Sequence, residues 1–145
     1  MTVVFDAEPL VAFAFDGPGA ETVEAWLGRV YDGDRAGYVA TVTLAEVRYV
    51  AARKATVERA DTHIRRLREL GVQPYDIDGL WQSASTLKAE YTLSVGDAYA
   101  VAAAAALGDK RERVTLLVGG DDDFDAFEAD SDFAPRIEWF RTESV

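Results

Sequence analysis

The stretch VTLLV at residues 114–118 is the strongest structural signal in the chain, because it is an unbroken run of apolar and β-branched residues. Such a run is typical of a parallel strand that is buried on both faces, whereas a strand with one wet face alternates between apolar and polar residues. The segment before it, from about Val95 to Leu107, is rich in alanine and predicts a helix. An acidic segment follows it, from Gly119 to Asp132. This order predicts helices packed against a parallel sheet.

Strand-like and helix-like segments alternate along the rest of the chain. Further strands are predicted at Thr2–Phe5, Tyr38–Val42, Val72–Ile77 and Ile137–Phe140. Further helices are predicted over about 23–30, from Thr43 onward, over about 57–70 and over about 79–91, with Asp78 as the cap of the last one. The alternation predicts one α/β domain over residues 1–145, with three layers (α/β/α) and a central parallel sheet of four to five strands.

The composition excludes several kinds of site. The chain has no cysteine, so it can form neither a disulfide nor a thiolate metal site. Its one histidine, His63, argues against a zinc site or a Ser-His triad, and we expect it on the exposed side of its helix. No apolar run is long enough to span a membrane, and no basic stretch precedes the first apolar segment. These features predict a cytoplasmic protein without membrane contact.

The net charge of −11, from 26 acidic and 15 basic residues, is unusual for a protein that binds nucleic acid, because an acidic surface repels phosphate. One explanation is a local basic patch. The segment 48–68 carries seven basic residues against two acidic ones, which suits either a track for RNA phosphates or a solvated helix face. The other explanation is a halophile-like acidic protein that works in high salt, where charges are screened.

Four carboxylates fall where the predicted strands end or helices begin. Asp6 follows the first strand, Glu46 lies in the first turn after the second, Asp97 in the first turn of the alanine-rich helix, and Asp121 after the fourth strand. Ligands of open α/β sheets bind at the carboxyl ends of the strands. Carboxylates that converge there need cations between them, and Mg²⁺ or Mn²⁺ prefers oxygen ligands. Such a site can hydrolyse a phosphodiester with a metal-activated water.

Each of these acids also has a purely structural interpretation. Thr43 with Glu46, and Ser94 with Asp97, have the spacing of a helix capping box. Asp6 could simply end a strand, and Asp121 lies in a Gly-Gly-Asp turn, where aspartate is common. A carboxylate near a helix start can serve both purposes, because capping leaves oxygen atoms free for metal.

At this point the chain resembles the PIN domain family, and in particular VapC-like toxin ribonucleases. The resemblance rests on four segments in order: VVFDAEPLVAF at 3–13, TLAEVRYVAAR at 43–53, LSVGDAYAVAAA at 93–104 and LLVGGDDDF at 116–124. It implies a ribonuclease that binds Mg²⁺ or Mn²⁺ through Asp6, Glu46, Asp97 and Asp121, with Asp123 as a further ligand. It also implies an RNA substrate, a small VapB-like antitoxin and a homodimer.

Two positions depart from the family pattern. The family usually has Ser or Thr after the first aspartate and a hydroxyl residue two before the fourth, where this chain has Ala7 and Gly119. Both losses weaken the hydrogen bonding around the metal ligands, and they leave open an inactive PIN-like interaction module. A haloacid-dehalogenase-type phosphatase, with Asp6 as nucleophile and the acidic motif at 120–125, would leave Glu46 and Asp97 unused.

Two surfaces of the predicted domain could bind a partner, and each also has another interpretation. The basic segment 48–68 could meet an acidic antitoxin segment instead of RNA, and Phe13, Phe15 and Trp26 could line an apolar groove for a partner helix or belong to the core. We expect an antitoxin to insert a basic side chain into the acidic cluster and displace the metal. Most acids of the run 121–132 are expected to form a solvated loop.

Overall fold

The structure is a computed structural model, and it describes residues 1–108, 113–119, 124 and 136–140. Five strands lie in this part of the chain: β1 Thr2–Phe5, β2 Ala36–Ala40, β3 Val72–Tyr75, β4 Val114–Val118 and β5 Arg136–Trp139. Six helices accompany them in the same residues: α1 Ala7–Ala14, α2 Ala20–Tyr31, α3 Thr41–Lys54, α4 Val57–Glu69, α5 Trp81–Glu90 and α6 Val95–Leu107.

The five strands form one sheet in the order β3-β2-β1-β4-β5, and every pairing is parallel. The predicted α/β class and the central parallel sheet are therefore confirmed. β1 pairs with β2 on one side and with β4 on the other, so the strand order reverses beside β1. Its last residue, Phe5, lies opposite Leu117 of β4. In parallel α/β sheets such a reversal opens a crevice at the carboxyl ends of the strands.

Apolar side chains cover both faces of the sheet. In β1, Val4 faces a core that includes Val101 of α6 and Leu116 of β4. Its neighbours Val3 and Phe5 belong to the opposite core, which α1 to α4 cover. Successive side chains of a strand point to opposite faces, so β1 anchors both cores. All five residues of β4 are buried, as the run VTLLV predicts.

Two predicted helix starts are wrong. α3 begins at Thr41 and not at Thr43, because β2 ends at Ala40, where its pairing with Tyr75 of β3 stops, and the chain turns at once into the helix. Thr43 therefore does not cap α3, and Glu46 lies in the second turn. α5 begins at Trp81, and Asp78 does not cap it; the Asp78 amide instead donates to a carboxylate oxygen of Asp76.

His63 lies differently from its predicted place. It is buried on the inner face of α4 beside Leu67, because α4 packs on the rest of the domain through the stripe that includes both. Trp81, which begins α5, is 60% exposed. The helix α1 follows β1 directly, and the sequence patterns did not predict it. Within the described ranges, no helix has the length and apolar character to cross a bilayer.

Candidate active site

Asp6 lies at the carboxyl end of β1, at the point where the strand order reverses. Its backbone amide donates to the Leu117 carbonyl of β4 at 2.9 Å, which ties it to the neighbouring strand. It also occupies the N-cap position of α1, where its backbone is extended and its side chain makes no capping hydrogen bond. The residue is only 5% exposed, so its carboxyl is almost completely removed from water. Burying a carboxylate is costly, which marks Asp6 as more than a strand end.

Asp97 and Glu46 approach from two helices that contact each other, α6 and α3. Asp97 lies in the first turn of α6, as predicted, and its amide donates to the Ser94 hydroxyl at 3.1 Å, which caps the helix. Glu46 is exposed at the rim, yet one of its carboxylate oxygens would lie 3.1 Å from a Cβ placed on Gly96. Glu46 therefore points at the first turn of α6, where helix amide groups favour negative charge.

The pKa shifts show that the three carboxyl groups act on one another. Burial raises the pKa of Asp6 well above its usual range, and the charge of Asp97 and a hydrogen bond between the two side chains raise it further. Glu46 adds a smaller upward effect on the same pKa, whereas a hydrogen bond from the Ala7 amide lowers it. The pKa of Glu46 is itself raised by partial burial of its carboxyl and by Asp97. The Asp6 and Asp97 carboxyl groups therefore lie within hydrogen-bond reach of each other at the sheet edge, and the charge of Asp97 disfavours a negative charge on Asp6.

These oxygen donors are of the right kind for Mg²⁺ or Mn²⁺, whose positive charge would offset the repulsion between the carboxylates. In residues 1–108, 113–119, 124 and 136–140, no group of three or more carboxylate or imidazole side chains is gathered as a metal-ligand cluster. Asp121 and Asp123, the other two predicted ligands, lie outside the described residues. The hydroxyl of Thr43 is buried without a hydrogen-bond partner on α3, three residues before Glu46 and on the same helix face.

Comparisons with known proteins identify the family of this chain. The profile of the PIN domain matches residues 3–129. The chain belongs to the PIN domain family. Among proteins of curated function, none matches the sequence significantly.

Solved structures similar to this PIN domain are toxin–antitoxin complexes. VapBC2 from Rickettsia felis, bound to a DNA fragment from its promoter, matches with a TM-score of 0.68 at 12% identity over 96% of this chain and 98% of that chain. DNA-bound VapBC from Salmonella typhimurium matches with a TM-score of 0.68 at 17% identity, over 97% and 99% of the two chains. A Klebsiella pneumoniae toxin-antitoxin complex matches with a TM-score of 0.56 at 22% identity, over 84% and 89%. At these identities the likeness concerns the fold.

Glu8 lies at the edge of this PIN site, and the sequence patterns did not single it out as part of it. It is the second residue of α1, and its carboxylate lies directly against Gly119, the residue that follows β4. A Cβ on Gly119 would overlap one carboxylate oxygen and lie 3.0 Å from the other. The sequence does contain a signal for this contact. It is a glutamate two residues after the first aspartate, together with a glycine directly after the fourth strand.

A second feature of the PIN domain is a cavity of about 510 Å³ between α1, α3 and α4. Its lining combines apolar and basic residues, among them Phe15, Arg59, His63 and Arg66. Phe15 is 39% exposed, and Lys54 stacks on its ring at 5.5 Å. Of the other two aromatic residues predicted to line a groove, Phe13 and Trp26 pack against the core, and Phe13 carries Arg66 on its ring at 5.1 Å. The lining of the cavity therefore combines an apolar surface with basic side chains.

Proposed function

We propose that this PIN domain is a VapC-like endoribonuclease that hydrolyses RNA phosphodiester bonds with the help of Mg²⁺ or Mn²⁺. The observation that carries the proposal is the buried Asp6 carboxyl at the reversal of strand order, which is hydrogen-bonded to the side chain of Asp97 and lies close enough to Glu46 for its charge to act on it. Asp121 and Asp123 complete the proposed ligand set. A divalent cation held there supplies the Lewis acidity for hydrolysis and activates a water.

The residues of the site have separate tasks in this proposal. Asp6 is held by the sheet and cannot move away, because its amide is bonded to Leu117 and its side chain is buried. Asp97 is held by the capped first turn of α6. Glu46 stands at the open rim, where it can reach a cation and a phosphate that arrive from solvent. A deep fixed ligand and a more exposed one leave room for the substrate on one side.

We propose that RNA phosphates approach along the hairpin of α3 and α4. Its seven basic side chains are all exposed: Arg48, Arg53, Lys54, Arg59, Arg65, Arg66 and Arg68. Arg48 is paired with Asp61 at 2.7 Å, whereas Arg53 lies over the Tyr49 ring at 5.9 Å. Glu46 belongs to α3, so this basic surface begins on the helix that carries a proposed ligand. Such a track attracts phosphates although the whole chain is acidic.

We propose a VapB-like antitoxin as the partner, with the cavity between α1, α3 and α4 as its docking place. The exposed Phe15 ring suits an apolar side chain, and Arg59 and Arg66 suit acidic residues that flank it. Co-expression with a candidate VapB-like antitoxin from the same organism tests the proposal. The partner should inhibit RNA cleavage, and Phe15→Glu, which changes the apolar docking point outside the basic track, should escape inhibition while it still cleaves.

We further propose a homodimer through the α5–α6 face. Trp81 and Val95 are 60% and 53% exposed there, and both line a small cavity of about 150 Å³ with Tyr99. Large exposed apolar side chains beside a cavity are more stable when a second copy of the chain covers them than when they contact water. Trp81→Glu should convert the dimer to a monomer in light scattering, whereas Tyr31→Glu, which changes an equally exposed aromatic residue on α2, should not.

The experiment that tests the nuclease is cleavage of total cellular RNA by the purified chain in high salt. Mn²⁺ or Mg²⁺ is added in one arm and EDTA in the other. Asp97→Asn should abolish cleavage, because it removes a charged ligand at nearly constant volume. The matched control is Asp32→Asn, an exposed aspartate at the end of α2, which should cleave like the wild type.

Cleavage that needs both the metal and Asp97 would establish the activity. A folded sample that binds metal and leaves RNA intact would favour the interaction module, the alternative that Ala7 and Gly119 suggest. In that case Asp97→Asn would leave partner binding unchanged. Neither this alternative nor the phosphatase gains support from the site, because both leave the close approach of Asp97 to the buried Asp6 carboxyl without a role.

A further inference from the structure

Three exposed residues form a line along α3 that begins at the candidate active site. Glu46, Tyr49 and Arg53 are spaced three and four residues apart, and each is exposed. Residues at these spacings lie one above another on one face of a helix, with Cβ atoms roughly 5–6 Å apart. Since Glu46 points at the first turn of α6, Tyr49 lies one helical turn from the site.

The side chain of Tyr49 is an aromatic ring that the fold does not use for its core. The residue is 62% exposed. α3 packs on the domain through Val47 and Ala51, and the helical spacing places Tyr49 on the opposite side. The guanidinium group of Arg53 lies over the ring at 5.9 Å from its centroid. The ring therefore combines an accessible flat surface with a positive charge beside it.

The surroundings of this ring favour a polyanion that also carries flat groups. Tyr49 is the one Phe, Tyr or Trp residue in 41–69, the part of the chain that forms the basic α3–α4 hairpin. The hairpin is basic in a chain whose net charge is −11, so it is the surface that complements phosphates. Proteins that bind single-stranded nucleic acid combine such a basic surface with aromatic side chains on which the bases stack.

We propose that Tyr49 is a base-stacking residue for the RNA substrate. Its ring stacks on the base of the nucleotide next to the phosphate at the active site, and Arg53 binds a phosphate one step further along α3. The inference rests on the proposed function for its RNA substrate. A base can lie on a protein ring only when it is free of its neighbours in a duplex, so the nucleotide at this position is unpaired.

Binding of two polyanions in EDTA at low salt tests stacking separately from metal and cleavage. Polyadenylate carries bases and phosphates, whereas inorganic polyphosphate carries charge alone. Tyr49→Ala should weaken the binding of polyadenylate by about tenfold and leave the binding of polyphosphate unchanged. Tyr49→Phe should bind both like the wild type, because it keeps the ring and removes only the hydroxyl group.

The dependence of binding on salt separates the ring from the charge beside it. Arg53→Gln should weaken the binding of both polyanions, and it should reduce the slope of log Kd against log salt for polyadenylate by about 0.7. Tyr49→Ala should leave that slope unchanged, because stacking releases no counterions. The matched control is Tyr31→Ala, which removes a 69% exposed tyrosine at the end of α2 and should bind polyadenylate like the wild type.

The outcomes separate this inference from the proposed nuclease. If Tyr49→Ala binds polyadenylate like the wild type, as a ring that covers only a protein partner would, the inference is overturned and metal-dependent cleavage is untouched. Equal losses of polyadenylate and polyphosphate also overturn it, since the ring would then only hold Arg53 in place. A wild type that does not bind polyadenylate overturns it as well. A loss confined to polyadenylate supports it, even if RNA cleavage with Mn²⁺ fails and the nuclease proposal falls.

Discussion

Asp6 is the residue where folding and function conflict most directly. Its carboxyl is buried, and the negative charge of Asp97 lies beside it, so the folded protein keeps it protonated to a higher pH than the unfolded chain does. At neutral pH the metal-free fold therefore bears a cost that the unfolded chain does not. That cost disappears below the ordinary pKa of aspartate, where both states are protonated.

Asp6→Asn should accordingly stabilise the protein in EDTA at pH 7.5. Each unit of pKa elevation corresponds to about 1.4 kcal/mol, and 1 kcal/mol shifts the Tm of a domain of this size by roughly 2–4 °C. The advantage of the variant should shrink as the pH falls toward 4, and added Mn²⁺ should stabilise only the wild type. Thermal unfolding followed by circular dichroism measures both effects. A lower Tm for Asp6→Asn in EDTA would show that Asp6 stabilises the fold instead.

Gly37 in β2 is a residue that packing alone requires. A Cβ there would lie 2.8 and 2.9 Å from the two methyl groups of Val30 and 3.5 Å from the ring of Phe5. All three residues are buried in the core on the α2 side, where the neighbours cannot withdraw. The glycine thus lets α2 lie close to the sheet.

Gly37→Ala should destabilise the domain by about 1–3 kcal/mol, the usual cost of overpacking a core. The matched control is Gly28→Ala in α2, where no atom lies within 4 Å of the added methyl group. That change should stabilise the helix by about 0.5–1 kcal/mol, because alanine loses less backbone entropy than glycine. Urea unfolding of both variants gives the comparison. Equal effects of the two substitutions would mean that Val30 can move aside.

At the scale of elements, the sequence predicted what depends on local pattern and missed what depends on register. VTLLV predicted a doubly buried strand, and Ser94 with Asp97 predicted the capped start of α6; both are confirmed. The capping box at Thr43 is absent, because the pairing of β2 with its neighbours ends at Ala40 and fixes the helix start earlier. Strand register is a tertiary property, and a short motif cannot reveal it.

His63 shows, within one helix, that a local sequence pattern cannot reveal a tertiary contact. The charged residues Arg65 and Arg66 lie close to it in sequence, so the local pattern predicted an exposed side chain, whereas α4 turns it inward against Phe13 at 6.0 Å between ring centroids. The contact between Glu8 and Gly119 was equally invisible, since it joins two elements far apart in sequence. The positions of Asp6 and Asp97 could be predicted, because a strand end and a capped helix start are local features of the sequence.

The burial of His63 between α1 and α4 predicts a pH dependence of stability. Burial lowers its pKa below 6.5, the nearby charge of Arg66 lowers it further, and a hydrogen bond to the Leu10 carbonyl works in the opposite direction. The unfolded chain therefore takes up a proton that the folded chain refuses. The contribution of His63 to stability is complete above about pH 6.5, falls as the pH drops below that value, and levels off below the folded-state pKa.

His63→Phe should remove this component while it keeps an aromatic ring in the α1–α4 interface. Tm values are measured between pH 5 and 8 in EDTA for the wild type and the variant. The difference between the two curves should grow in favour of the variant as the pH falls below about 6.5. Asp6 and Glu46 contribute pH effects of the opposite sign to both proteins, so they cancel in the difference. A constant difference across this range would contradict the assignment.

At the scale of the whole molecule, the distribution of charge matters more than its total. The chain carries 26 acidic and 15 basic residues, yet the α3–α4 hairpin collects seven of the bases on one surface. Repulsion among the remaining acids opposes folding, and it acts over distances that salt shortens. The same salt weakens attraction between the hairpin and RNA phosphates, so stability and substrate binding should respond to salt in opposite directions.

The Tm of the metal-free protein should therefore rise by several degrees between 0.05 M and 2 M KCl. Glu69→Gln/Glu90→Gln removes two exposed acids from the last turns of α4 and α5, where the helix carbonyls also disfavour negative charge. This variant should be more stable than the wild type at low salt and gain less from KCl. Matched measurements in sorbitol distinguish charge screening from general exclusion of solutes, because sorbitol should stabilise both proteins alike. A wild-type Tm that stays level or falls with KCl would show that the acidic residues are already neutralised by local pairing, and the acidic composition would then need another explanation than life in high salt.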